Sequence, residues 1–308
     1  MDESTPVYIS IIGPGKIGRT LMLSLINQTK RRYVINIVSR QEVLSGFILD
    51  IVQSLQLKNK HRITLNSTSN FNRSSFIFHC AGVSVKQGAS RLTTSKDNIA
   101  ITKELFEKFR PNKDAKVIVI TNPVDIISYY TWKFTGLPPK QIIGTGTLLD
   151  TIRLHYYMEE LVGADKQIET LMLGEHGESI VWAKSHSKIN GGAIEDYFTE
   201  EQQAKLELDV IHTAARIKQN QGASTYAISL CALEIMEAMI EPDGRVYTVS
   251  CLLDEYYKQL LQSPSIYMGL PAQLDQNGVK AILPLKFTPD ELAQLQQSAA
   301  LIESHLIH

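Results

Sequence analysis

Cysteine is scarce in this chain of 308 residues, with Cys80, Cys231 and Cys251 far apart in apolar surroundings. They form no CxxC pair and no metal-ligand spacing, which argues against a disulfide framework and for reduced, buried thiols in a cytoplasmic protein. An excess of either charge is also lacking, since 31 Lys and Arg face 32 Asp and Glu for a formal net charge of -1. That balance offers no general attraction to nucleic acid or to an anionic membrane, so any basic site must be local. No apolar run approaches the length of a membrane span, and the opening MDESTP is acidic and polar, unlike a signal peptide. No internal repeat, low-complexity tract or linker interrupts the chain. What is present, 44% hydrophobic and 20% charged residues, is the composition of a soluble globular protein. The length suits two domains or one large α/β unit.

The first half alternates strand and helix. Val7 to Ile12 is a short β-branched run that ends at Gly13 and enters the loop Gly13-Pro14-Gly15-Lys16-Ile17-Gly18. A helical pattern through Leu21, Leu25 and Ile26 follows. A GxGxxG match gains its meaning from this strand-loop-helix setting: glycines let the backbone approach a pyrophosphate, and the helix start supplies unpaired N–H groups. The second strand, Val34 to Val38, ends without the carboxylate that would accept the ribose 2′-hydroxyl of NAD(H). Val38 stands in that place, with Ser39 and Arg40 after it. Arg40 is either a solvated surface residue or a partner for the 2′-phosphate of NADP(H), and the sequence leans toward the second. Gln41 to Leu57 reads as a helix with Ile48, Ile51, Val52 and Leu55 on one face. Arg62 to Leu65 and Phe76 to Cys80 read as strands. The polar stretch from Ala81 to Asn98 is a candidate lid, with Gly82 and Gly88 as hinges and Lys86 and Arg91 as mobile cations. A helix over Ile99 to Phe109 stops before Pro111. The strand Lys116 to Ile120 ends in Thr121-Asn122-Pro123-Val124-Asp125, where Asn122 is either a turn former or a site residue at a strand's carboxyl end.

The alternation stops near Gly144, after a short strand from Gln141. Residues 1–145 therefore read as the dinucleotide-binding half and 146–308 as a mixed α+β half. Asp150 and Arg153 stand three positions apart, on one helix face. An exposed ion pair is the ordinary reading of such a pair, yet Leu148, Leu149 and Ile152 around it favour burial. Ile168 to Leu173 reads as a buried strand leading to Gly174-Glu175-His176-Gly177-Glu178. A lone histidine is more often structural than catalytic, so His176 needs partners to count. Thr199 to Met239 is helical with a break at Gln219 to Ser224. Val246 to Leu252, Ser265 to Leu270 and Val279 to Leu283 are strand-like. Thr288-Pro289-Asp290-Glu291 opens a closing helix with a capping box, and Leu292, Leu295, Ala299 and Ile302 form its buried stripe.

Taken in order, GPGKIG, the LDI after Gly46, CAG at Cys80 to Gly82, DNIAI, TNPVDI, the run from Thr131 to Arg153, and GEHG resemble the L-lactate/L-malate dehydrogenase family, in its lactate or L-2-hydroxyacid branch. The resemblance spans nearly the whole chain. It implies a Rossmann sheet followed by a substrate domain, a homotetramer or homodimer, and hydride exchange between a nicotinamide dinucleotide and a 2-hydroxy or 2-oxo acid. Residue by residue, it implies that His176 passes the proton, Asp150 orients the imidazole and stabilises its charged form, and Arg153 grips the substrate carboxylate. Arg91 would arrive with the lid to polarise the carbonyl. Asn122 would sit near the nicotinamide and the reacting oxygen, and Ser224 would line the substrate pocket where the family usually has Thr. Gly13, Gly15, Lys16, Ile17, Gly18, Val38, Ser39, Arg40, Gly82, Asn98 and Asn122 would surround the dinucleotide. No metal is implied.

Two departures from the family's pattern bear on substrate and loop. Val85 occupies the specificity position, where lactate enzymes usually carry Gln and malate enzymes Arg. A second carboxylate buried there without a partner would cost several kcal/mol, so malate is disfavoured and an apolar side chain, as in pyruvate or 2-oxoisocaproate, is expected. The segment after His176 is slightly short and carries Glu178 where the family usually has Asp. A malate dehydrogenase, or a catalytically silent relative kept as a binding module, remain the alternatives, although His176, Asp150, Arg153, Arg91 and Asn122 are all retained.

Overall fold

The computed structural model describes residues 5–40, 45–57, 61–83 and 94–306. The expectations placed on Gln41, Val85, Lys86, Gly88 and Arg91 lie outside the described residues. The first half runs β1 (Val7–Ile12), α1 (Lys16–Ile26), β2 (Tyr33–Val38), α2 (Ser45–Ser54), β3 (Arg62–Leu65), α3 (Thr68–Arg73), β4 (Phe76–His79), α4 (Ser95–Lys108), β5 (Lys116–Val119), α5 (Val124–Thr135) and β6 (Ile142–Gly144). Its six strands pair parallel in the order β3-β2-β1-β4-β5-β6. This is the doubly wound order of a Rossmann sheet, in which ligands bind beyond the carboxyl ends where the strand order reverses, here between β1 and β4. Helices on both faces explain why β1, β2, β4 and β5 read as nearly unbroken apolar runs instead of alternating ones.

The second half runs α6 (Leu148–Val162), β7 (Ile168–Glu169), β8 (Met172–Gly174), β9 (Ile180–Trp182), β10 (Lys188–Ile189), β11 (Gly192–Ala193), α7 (Glu200–Gln221), α8 (Tyr226–Ile240), β12 (Val246–Leu252), α9 (Glu255–Leu261), β13 (Tyr267–Asp275), β14 (Gly278–Ile282) and α10 (Pro289–Ser304). The large sheet does not stop at β6. Gly144 pairs with Ser250 of β12, and β13, β8 and β9 follow, with β14 on β13, to make eleven strands among the described residues. A small sheet, β11-β10-β7, lies apart.

Several elements differ from their sequence pattern, each for a local reason. The expected single strand from Ile168 to Leu173 is two strands in different sheets. Thr170 breaks it by bonding its hydroxyl to that of Ser187 at 3.0 Å, while Leu171 gives its carbonyl to the N–H of Ala183. Ile51 of α2 and Leu55, just past its end, are buried but Val52 is exposed, so the apolar face is narrower than expected. Cys231 and Cys251 are buried, whereas Cys80 is only half-buried. The strand expected at Ser265 to Leu270 continues through Pro271 to Asp275: Pro271 sits in register with Thr248, and its carbonyl accepts the N–H of Leu283. Two short helices, α3 and α9, are too brief to show periodicity, yet each is capped in sequence. Ser67 Oγ accepts the N–H of Asn70 at 3.3 Å, and Asp254 Oδ1 accepts that of Tyr257 at 2.9 Å. The break between α7 and α8 falls at Gly222, which ends α7 with φ +83°. The capping box of Thr288 and Glu291 forms as the sequence predicts.

Candidate active site

His176 lies at the tip of the β8–β9 hairpin, two residues beyond Gly174, which pairs with Ile180. Its imidazole Nδ1 is 2.6 Å from Asp150 Oδ2, and an Arg153 guanidinium nitrogen donates to Asp150 Oδ1 at 3.0 Å. A carboxylate can only accept, so Nδ1 carries the hydrogen, and Nε2 is the ring atom with the capacity to exchange a proton. The three side chains are only 12%, 7% and 9% exposed, in the order His176, Asp150, Arg153. The ion pair is therefore buried and not the surface pair that is the ordinary reading of its spacing. Asp150 belongs to the first turn of α6, where the helix dipole favours a negative charge. Asp150 takes one N–H of a guanidinium that has five, so the planar fork retains donors enough for a substrate carboxylate.

A second carboxylate, not singled out in the sequence, holds the same hairpin. Asp125 Oδ2 accepts the backbone N–H of His176 at 3.0 Å, and its Oδ1 accepts the hydroxyl of Ser250 at 2.6 Å. Burial raises the Asp125 carboxyl to about 6, against the opposing effect of those two bonds. Beneath the tip, Glu175 is 4% exposed and binds the N–H and hydroxyl of Ser179, while its own N–H reaches Ser298 of α10 at 2.8 Å. A Cβ at Gly177 would lie 1.9 Å from Glu175 Oε1, so any side chain there would have to displace the Glu175 carboxylate. Glu178, beside it, is exposed.

At the carboxyl ends of β1, β4 and β5 the residues form a cradle. Gly13 has φ +86°, and a Cβ there would lie 2.5 Å from Ala81 Cα, so both conformation and space require glycine. Gly15 is different: its φ is -73° and no atom lies within 4 Å of an added Cβ. Nothing within the protein demands glycine there. The open space above the start of α1, whose first turn holds no acid, suits a pyrophosphate drawn to free N–H groups. Gly18 packs its missing side chain against Gly13 O, and Gly82 packs against Thr121 and Asn98. Asn98 then ties two strand ends together: its Oδ1 accepts the N–H of Val83 at 2.7 Å and its Nδ2 donates to Asn122 O at 2.6 Å. Asn122 Oδ1 is buried with no hydrogen-bond partner among the described residues. A buried carbonyl left so costs about 1–3 kcal/mol, and the amide N–H of a nicotinamide is a donor of the right kind for it. The cradle fits a nicotinamide dinucleotide.

The remaining predicted site residues stand at varying distance from this centre. Val38 is buried at the end of β2 and carries no polar group to a ribose. The N–H of Ser39 is taken by Asn66 Oδ1 at 2.9 Å, and the Arg40 guanidinium pairs with Glu104 of α4, both side chains exposed. Lys16 reaches toward the last turn of α7, 3.5 Å from Gln221 O. The Ile17 side chain packs against the core and its carbonyl accepts from Ser229 at 3.3 Å. Ser224 is half-buried in the α7–α8 connection, and no hydrogen bond joins it to the His176 cluster among the described residues. Among the described residues no cluster of three or more His, Cys, Asp or Glu could hold a metal ion, and no helix is long and apolar enough to cross a membrane.

Comparison with known proteins gives concordant results. Residues 7–144 match the model of the lactate/malate dehydrogenase NAD binding domain, and residues 147–306 that of the lactate/malate dehydrogenase alpha/beta C-terminal domain. L-lactate dehydrogenase 1 of Staphylococcus aureus (strain USA300 / TCH1516) is 28% identical over 303 residues, covering 96% of this chain and 94% of its own. The crystal structure of the ligand-bound minor L-lactate dehydrogenase from Enterococcus mundtii superposes with a TM-score of 0.85 at 28% identity, over 97% of both chains. MGS-M5, a lactate dehydrogenase enzyme from a Medee basin deep-sea metagenome library, gives 0.86 at 26% identity over 98% of both chains.

Proposed function

Because this chain belongs to the lactate/malate dehydrogenase family, we propose that it uses His176, Asp150 and Arg153 to interconvert an L-2-hydroxy acid carrying an apolar side chain and its 2-oxo acid. That it is an NAD-dependent hydroxy acid oxidoreductase acting on a CH–OH group follows from its family and relatives. One observation carries the assignment of residues: the buried His176–Asp150–Arg153 chain, closed by contacts of 2.6 and 3.0 Å.

The dinucleotide, when bound, supplies the hydride for reduction and accepts it for oxidation. The protein's own residues manage the carboxylate and the proton. Arg153 holds the substrate carboxylate through parallel N–H bonds, which fixes the oxo carbon at one distance from the hairpin tip. His176 gives the proton on Nε2 to the oxo oxygen as the carbon gains hydride, and takes it back in the reverse direction. Asp150 keeps the imidazole in the required tautomer and offsets the imidazolium charge. Asn122, at the end of β5, would hold the carboxamide. Arg91 and Val85, read from the sequence, would polarise the carbonyl and face the substrate's side chain.

Substrate choice rests on Val85. The expected result is that kcat/KM for pyruvate or 2-oxoisocaproate exceeds that for oxaloacetate by about 100-fold or more, since an unpaired second carboxylate costs several kcal/mol. Initial rates with the three acids decide it, and fast oxaloacetate reduction would make this a malate enzyme.

The choice of dinucleotide rests on Arg40, which we read as favouring NADP(H) over NAD(H). Its pairing with Glu104 is an exposed one, and such pairs are worth about 0–1 kcal/mol, little enough for a 2′-phosphate to displace. Glu104→Ala should then raise the NADPH-to-NADH ratio of kcat/KM by roughly two- to fivefold, and Arg40→Ala should lower it. Ratios that do not move would leave Arg40 a surface charge.

The division of labour falls at the turn after β6, with residues 1–145 for the dinucleotide and 146–308 for the acid. Exposed Ile152 and Tyr156 on α6, and Tyr226 and Leu230 on α8, support a homo-oligomer, a dimer or tetramer.

A further inference from the structure

Asp125 takes no part in hydride or proton transfer, yet it is 3% exposed and both of its oxygens are engaged. It joins three parts of the chain: its own α5, the His176 hairpin 51 positions away and β12, at Ser250, 125 positions away. The imidazole of His176 is held at Nδ1 by Asp150, which fixes one end of the residue only. The other end, its backbone N–H, rests on Asp125.

We propose that Asp125 is a positioning residue for proton transfer, and that its ionised carboxylate is the form that anchors the His176 hairpin. The proposal rests on the reading of His176 as the proton donor. A charged acceptor makes hydrogen bonds about twice as strong as a neutral one. On protonation, one oxygen of Asp125 becomes a donor. Ser250 can turn its hydroxyl to accept from it, but the N–H of His176 cannot, and the anchor at the hairpin weakens.

The surroundings place that change within reach of ordinary conditions. Burial is the main cause that brings the Asp125 carboxyl to about 6; Glu175 of the hairpin adds to the rise, while the bonds from Ser250 and His176 and the charge of His176 oppose it. From β12, the Cys251 thiol is also within its field. The helix α4, packed on α5, carries Lys96, Asp97, Lys103, Glu104, Glu107 and Lys108, each of them exposed. The strand β13 brings the Tyr267 phenol, which donates to Pro139 O.

The sign of the pH effect separates Asp125 from His176. Reduction of a 2-oxo acid consumes a proton held by His176, so acid alone favours that group's working form. A kcat that falls with acid therefore requires another group that must be ionised. The test is the pH profile of kcat and KM for pyruvate reduction between pH 4.5 and 8, for the wild type, Asp125→Asn, Asp125→Ala, Ser250→Ala and His176→Asn. The wild type should lose kcat below about pH 6. Asp125→Asn keeps the shape and an acceptor without the charge, so it should run about tenfold slower at pH 7.5 and show no acid break. Asp125→Ala should lose kcat further, with dinucleotide affinity unchanged. Ser250→Ala, which removes a bond favouring the ionised form, should move the break upward. An Asp125→Asn profile superimposable on the wild type would overturn the proposal. If the alanine variant does not fold, an unshifted break in Ser250→Ala overturns it equally. Normal turnover by His176→Asn brings down the proton-donor reading itself, whereas an inactive His176→Asn beside an unaltered Asp125→Asn removes the anchor alone.

Discussion

With His176→Asn, reduction of the 2-oxo acid should slow by about 10²–10⁴-fold, the contribution of a positioned general acid, while the dinucleotide binds as before. Asparagine is the informative replacement because its amide can still donate to Asp150 Oδ2, where Nδ1 now stands at 2.6 Å. What it lacks is any atom in the place of Nε2 and any capacity to release a proton at neutral pH. The cradle proposed for the dinucleotide, Gly13 to Gly18, Gly82, Asn98 and Asn122, lies in the connections and helix starts that follow strands of the first half, and none of these depends on the imidazole. Steady-state rates together with titration of cofactor fluorescence check both parts. Retained turnover would sink the assignment of the proton donor, and lost cofactor binding would mean that the substitution had disturbed the sheet ends.

Arg153→Leu should lower kcat/KM by roughly 30- to 5000-fold, with Arg153→Lys falling between it and the wild type. Removing one partner of a buried, hydrogen-bonded charge pair costs about 2–5 kcal/mol, and each 1.36 kcal/mol is about tenfold. Two losses combine here. The substrate carboxylate loses its planar fork, and Asp150 loses the donor now 3.0 Å from Oδ1, in a setting where both side chains are under 10% exposed. Lysine restores a charge but offers no fork, so it should rescue the support of Asp150 better than the grip on substrate. The separation of the two losses appears as a high KM with a partly recovered kcat in the lysine variant. Equal kcat/KM for the leucine variant and the wild type would place the carboxylate elsewhere.

Much of this arrangement is legible in the sequence, for identifiable reasons. Strand, glycine loop and helix follow one another within Val7 to Ile26, so local spacing suffices to place the cradle. Asp150 and Arg153 share a helix face by their spacing, and only their burial needed the fold. Asp125 carries no signal of its own, because an acid in the first turn of a helix is commonplace and its partners lie 51 and 125 positions downstream. Ser250 is hidden inside an apolar strand. Its hydroxyl has meaning only once β12 lies beside β6 and over α5, a pairing between halves that no local pattern announces. The split of Ile168 to Leu173 has no local signature for a related reason: the hydroxyl of Thr170 acts through Ser187, on a different segment.

The bonds that join Asp125, His176 and Ser250 also bear on how the protein reaches its active form. His176 and Asp150, the proposed proton donor and its orienting acid, come from the second half, while the carboxylate beneath the hairpin comes from the first, and the strand that engages that carboxylate arrives 125 positions later. Contacts this distant in sequence are slow to form, because the closure of long loops precedes any reward from them. Helices and the local βαβ units can be complete while the hairpin tip is still unsupported. During refolding, then, catalytic activity should be among the last properties to return, and the enzyme reports on its own completion.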